Sequence, residues 1–213
     1  MKHFSFFIIS IFILILCTSS AKYEEITDLM FRALPKNTIK PDLCLVGDSR
    51  VYLWPKGFLE KKYDVFNYGV AGTRAEYSAF ILGKLFNEGK NFKIIIISTG
   101  INDPLFNEMP ETTVENLKKS IENAKKLSDK IFITTIPGCT KGSMLNQEQI
   151  EKLNKGSAFL NEQIKKLAEQ TNIGLIPMAE LLKDENSKTN SLNAFKSSYA
   201  FNGIPGVLTR LTL

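Results

Sequence analysis

The chain has 213 residues, 44% hydrophobic and 23% charged, with a net charge of +5. That length suits one ordinary domain, and the composition excludes a disordered or fibrous chain. The positive balance is spread over helical lysine doublets such as Lys118-Lys119, Lys125-Lys126 and Lys165-Lys166, and most have an acid four residues before the second lysine. This is a solvated face and not a nucleic-acid surface, which would need clustered charge with interleaved aromatics.

The first 21 residues read as a secretory signal peptide: Met1-Lys2-His3, an apolar run from Phe4 to Cys17, then Ser19-Ser20-Ala21. Fourteen helical residues reach only about 21 Å, short of a bilayer's hydrocarbon core. A secreted or periplasmic domain over residues 22–213 is expected. Cys17, which closes the apolar run, offers lipid attachment as the competing reading, although Leu16 stands where lipoprotein sites usually carry a small residue. The other two cysteines, Cys44 and Cys139, lie in or beside apolar strands and are expected to be free, buried thiols. No stretch has metal-ligand spacing.

Tyr23 to Leu34 is a short amphipathic lead-in closed by Pro35. The run Leu43 to Val46 reads as a buried strand that stops at Gly47-Asp48-Ser49. Tyr63 to Asn67 is a second strand, followed by the glycine-rich turn Gly69-Val70-Ala71-Gly72. Thr73 with Glu76 has the form of a capping box for a helix bearing Tyr77, Phe80, Ile81 and Leu85. Ile94 to Ile97 are four consecutive β-branched residues, the mark of a strand covered on both faces. Gly100-Ile101-Asn102-Asp103 breaks that strand, with Asp103 read as a turn residue. A helix with Val114, Leu117, Ile121, Ala124 and Leu127 follows, then a strand from Lys130 to Ile136. Asn146 and Gln149 cap a long helix striped with Ile150, Leu153, Leu160, Ile164 and Leu167. A last strand, Ile173 to Ile176, precedes a brief helix near Met178 to Leu182 and a polar loop from Lys183 to Ser198. Strands alternating with helices predict a flavodoxin-like three-layer α/β/α sandwich with a mostly parallel sheet of about five strands.

In such a sheet, ligands bind beyond the carboxyl ends of the strands. Three turns lie there: Gly47-Asp48-Ser49, Asn67-Tyr68-Gly69 and Gly100-Ile101-Asn102-Asp103. They hold a hydroxyl, a flexible backbone N–H and a side-chain amide, the parts of a nucleophile with an oxyanion hole. Ser49 can equally cap the next helix, and Gly69 can simply shape its turn. Trp54 and Phe58 follow the first turn and line an acyl pocket or pack in the core; Arg50 meets an anionic substrate or is solvated.

On these residues the chain resembles the SGNH (GDSL-type) hydrolases. Gly47-Asp48-Ser49 is similar to the family's first block, with Ser49 as nucleophile. Gly69 matches the oxyanion glycine of the second block, and Asn102 the oxyanion asparagine of the third. The resemblance implies the sandwich fold and hydrolysis of an ester or an acetylated carbohydrate, with no metal or cofactor. The family's final block, Asp-x-x-His, is not matched: Asn202 stands in place of the acid and Pro205 in place of the base, and the only histidine of the chain is His3. Three readings stay open. They are an exported esterase or acetyl hydrolase, a non-catalytic binding pseudoenzyme, and a frameshifted or truncated hydrolase lacking its last helix.

Overall fold

The structure, a computed structural model, describes residues 41–54, 59–60, 62–139 and 145–182. The expected signal peptide with His3 and Cys17, the expected lead-in to Leu34, Phe58, the expected loop from Lys183, and Asn202 with Pro205 lie outside those residues.

Five strands form one parallel sheet: β1 (Leu43–Gly47), β2 (Val65–Gly69), β3 (Ile94–Ser98), β4 (Ile131–Thr134) and β5 (Gly174–Ile176). Their order is β2-β1-β3-β4-β5, which is the flavodoxin-like winding, reversing direction between β1 and β3. Five helices are described: α1 (Ser49–Tyr52), α2 (Ala75–Asn87), α3 (Pro110–Lys125), α4 (Gln147–Thr171) and α5 (Met178–Leu181). The result is the expected three-layer α/β sandwich.

Every residue of β1 and β3 is buried. Because successive strand side chains point to opposite faces, their apolar runs feed two separate cores. Cys44, Val46, Ile95 and Ile97 join the larger core under α2, α3 and α4, where Tyr77, Ile81, Leu117, Ile121, Leu160 and Ile164 close over them. Leu43, Leu45, Ile94 and Ile96 join the second, with Val51, Trp54, Leu59 and Met178. Each isoleucine hidden this way is worth about 1.5–3 kcal/mol relative to exposure. Cys44 and Cys139 are buried and in no disulfide, as expected.

The caps test the local readings. Asn146 and Gln149 form the expected reciprocal capping box at the head of α4. The box expected at Thr73 and Glu76 does not form. Thr73 Oγ1 donates to Val70 O at 2.8 Å, and Arg74 occupies the N-cap position without a side-chain cap bond. The first amide of α2, Ala75 N–H, instead donates to the Asp103 carboxylate at 3.1 and 3.3 Å. A buried charged acceptor from another loop takes the place of the local hydroxyl.

Candidate active site

The three turns meet at the reversal point of the sheet. At the last rung of β1, Gly47 pairs with Gly69 on one side and with Ser98 on the other. The chain segments that leave these strands, toward Ser49, Val70 and Asn102, therefore start from one edge.

Close approach explains two of the glycines. A Cβ on Gly47 would lie 1.9 Å from Ser98 O, and one on Gly69 would lie 2.2 Å from Tyr52 N. Neither site can hold a side chain unless the backbone moves. Asp48 N–H donates to Ser98 O at 3.2 Å and Val70 N–H to Gly47 O at 3.0 Å, so each turn is anchored on its neighbour strand.

Ser49 is the first residue of α1, with Asp48 as N-cap. It is half-buried. Among the described residues neither its hydroxyl nor its N–H has a hydrogen-bond partner. Its neighbours are committed elsewhere. Asp48 is fully buried and accepts from Arg50 three times: from the backbone N–H at 3.0 Å, from Nε at 2.9 Å and from Nη2 at 2.8 Å. Arg50 is itself only 5% exposed. It is not solvated, which corrects that one of the two readings made from sequence. The reason is geometric: a guanidinium two residues along can fork onto the capping carboxylate. Trp54 belongs to the second core, so of its two readings the packing role is the one seen.

Gly69 also differs from expectation. Its N–H, expected to be free for an oxyanion, donates to Asn67 Oδ1 at 2.8 Å, while Asn67 Nδ2 donates to Val51 O at 2.8 Å. Gly69 is thus the packing glycine under α1. Gly72, three residues on, has φ +79°, a left-handed conformation that favours glycine. Its N–H has no partner among the described residues. Asn102 Nδ2 donates one hydrogen to Thr73 O at 2.8 Å. An amide nitrogen has two, so one remains, beside the residue that follows Gly72. The sequence signal that separates the two glycines is weak: both lie in the same glycine-rich run.

Asp103, read as a turn residue, is 1% exposed. Besides Ala75 N–H it accepts from Thr113 Oγ1 at 3.1 Å. Burial, the largest effect, pushes its carboxyl up to about 6 against the lowering effect of these two bonds and of Arg74.

A second clamp was not foreseen. Asn161 accepts from Ile136 N–H at 2.6 Å and donates to Ile136 O at 2.9 Å. Asn154 does the same for Cys139, at 2.6 and 2.8 Å. The segment leaving β4 is thus held along α4 by two side-chain amides seven residues apart. Polar residues at that spacing, flanking the apolar stripe of a long helix, were the available signal.

Among the described residues no group of three or more His, Cys, Asp or Glu could hold a metal ion, and no helix is long and apolar enough to cross a membrane.

The description of the GDSL-like Lipase/Acylhydrolase family matches residues 46–195. No curated protein matches the sequence. Solved structures do. A GDSL-like lipase from Bacteroides thetaiotaomicron superposes with a TM-score of 0.69 at 14% identity, over 89% of this chain and 96% of its own. A carbohydrate acetylesterase from Sinorhizobium meliloti gives 0.61 at 14% identity, over 81% and 100%. The aryl esterase of M. smegmatis gives 0.62 at 12% identity, over 80% and 99%. At such identities the likeness is one of fold.

Proposed function

Because this chain belongs to the GDSL-like lipase/acylhydrolase family, we propose that it hydrolyses esters through Ser49, with a small ester or an acetylated carbohydrate as substrate. The observation that carries the reading is the unpartnered hydroxyl of Ser49 at the reversal point of the sheet, beside a turn with free amide hydrogens. In this mechanism Ser49 Oγ bonds to the acyl carbon and its proton passes to solvent water, which returns one to the departing oxygen, since Pro205 stands where the family carries its base. The alcohol then leaves as its C–O bond breaks, and water releases the acyl group from Ser49. The N–H groups of Ser49 and Gly72 and the second hydrogen of Asn102 Nδ2 stabilise the oxyanion. Gly69, whose N–H is held by Asn67, acts as the spacer that lets α1 lie close. The carbohydrate substrate is favoured by the acetylesterases among the solved structures of this fold.

One observation favours a second reading, a binding protein without turnover: Asn202 and Pro205 replace the family's Asp-x-x-His, and His3 is the only histidine. Losing the base of a serine triad costs about 10⁶ in kcat, and an oxyanion hole alone leaves roughly 10³-fold over water. Hydrolysis of p-nitrophenyl acetate by the wild-type protein and by Ser49→Ala separates the two. The hydrolase reading expects the variant to fall to the uncatalysed rate and Ser49 to be labelled by a fluorophosphonate. Equal rates and no labelling would leave the binding protein.

The leader over residues 1–21 supports action outside the cytoplasm. N-terminal sequencing of the exported chain is expected to begin at Lys22. A chain that begins at a lipidated Cys17 would replace the soluble form by an anchored one, and an intact Met1 would remove the proposal of export.

A further inference from the structure

The turn from Val70 to Ala75 carries the Gly72 amide; Thr73 bonds back to Val70 O within it, and its other fixings come from outside. Val70 N–H donates to Gly47 O, Asn102 Nδ2 holds Thr73 O, and Asp103 holds Ala75 N–H. Asn102 and Asp103 are adjacent, so one short stretch after β3 grips the turn on both sides of Arg74. Asp103 also reaches α3 through Thr113, and Glu108 N–H donates to its backbone carbonyl at 3.1 Å.

We propose that Asp103 is a positioning residue for the Ser49 site: its carboxylate locks the Val70–Ala75 turn so that the Gly72 amide keeps its place beside the Asn102 amide. The inference rests on the proposed hydrolase reading for its functional meaning, but not for its geometry. A neutral cap such as serine or asparagine would suffice to start a helix. A carboxylate buried to 1% exposure is a costly way to do so. What it adds is a charge-assisted bond that tightens on ionisation.

Among the described residues, two charged groups act on Asp103. Arg74, at the head of α2, favours its ionisation, and Asp48, ahead of α1, opposes it. Both are themselves paired, Arg74 with Glu76 and Glu108 and Asp48 with Arg50. Thr113 from α3 contributes a neutral hydroxyl. Burial lifts the carboxyl to about 6, so the lock engages across a range in which ordinary carboxylates are already fully charged.

The test is a titration of the ¹⁵N-labelled full chain between about pH 4 and pH 8, following the amides of Gly72 and Ala75 and the side-chain amide of Asn102. All three are expected to move with one midpoint near 6. Asp103→Asn, which keeps an acceptor of the same shape, should abolish that midpoint. Thr113→Val, which removes a bond to the charged form, should raise it by about one unit. Flat wild-type signals, or a midpoint that persists in Asp103→Asn, would overturn the proposal. So would movement confined to Ala75, which would make Asp103 a helix cap and nothing more. Fluorophosphonate labelling over the same range reads the other question. Loss of all labelling with the shared midpoint intact would sink the hydrolase reading and leave the positioning role standing. Labelling without the midpoint would do the reverse.

Discussion

Two segments at the carboxyl edge of the sheet are held in place by side chains from elsewhere, and they are held by different physics. The turn from Val70 to Ala75 depends on Asn102 and on the charged Asp103. The segment from Ile136 to Cys139 depends on the neutral amides of Asn161 and Asn154, each of which matches a backbone donor and acceptor as a neighbouring strand would. A neutral amide pair costs little to bury once both partners are satisfied. A buried carboxylate costs more and varies with pH. The fold therefore places its titrating fastening beside the proposed site and its inert one further along the edge.

Removing the neutral fastening should give the larger effect. Asn154→Ala with Asn161→Ala strips partners from two backbone N–H groups and two carbonyls. The double variant should lose about 2–4 kcal/mol, each single variant roughly half, and the losses should not change with pH. Urea denaturation at two pH values checks this. A loss that varies with pH would erase the contrast between the clamps.

The charged fastening should show a smaller effect with a definite sign. Folded Asp103 releases its proton at about 6 against an ordinary 3.8, so between those values the folded state binds more protons than the unfolded one. Its contribution to stability is present below the lower value and is lost as pH rises through the upper one, by about 2–3 kcal/mol. Asp103→Asn has no such proton. The stability difference between variant and wild type should therefore move in the variant's favour from about pH 4 to pH 7. A difference that stays constant in urea midpoints across that range would contradict the burial of a titrating carboxylate.

What the sequence made legible follows the range of the interactions. The strand at Ile94–Ile97, the stripe on α4 and the Asn146–Gln149 box are set by residues within a turn or two of one another, and all three appear where expected. Thr73 and Glu76 carried the same local signature, but Asp103, 28 residues from Ala75, offers a stronger acceptor. Gly69 and Gly72 look alike in a string of letters. Only the contact with the backbone of α1 and the sign of φ assign one to packing and the other to the turn. Arg50 looked outward because it follows the proposed nucleophile; its fork onto Asp48 depends on the cap geometry. Distant contacts account for the cap of α2 and the packing of Gly69; the Arg50 fork is local and turns on side-chain geometry that residue type alone does not specify.

The bidentate pair of Arg50 and Asp48 has one more consequence. A positive and a negative group locked together out of water leave only a dipole, whose field falls off faster with distance than that of a single charge, so residues 48 and 50 present a weak field to a distant molecule. A charged visitor would gain little guidance from the two residues that flank Ser49, and an uncharged one would lose nothing. Any dependence of encounter on ionic strength then comes from charges other than this pair.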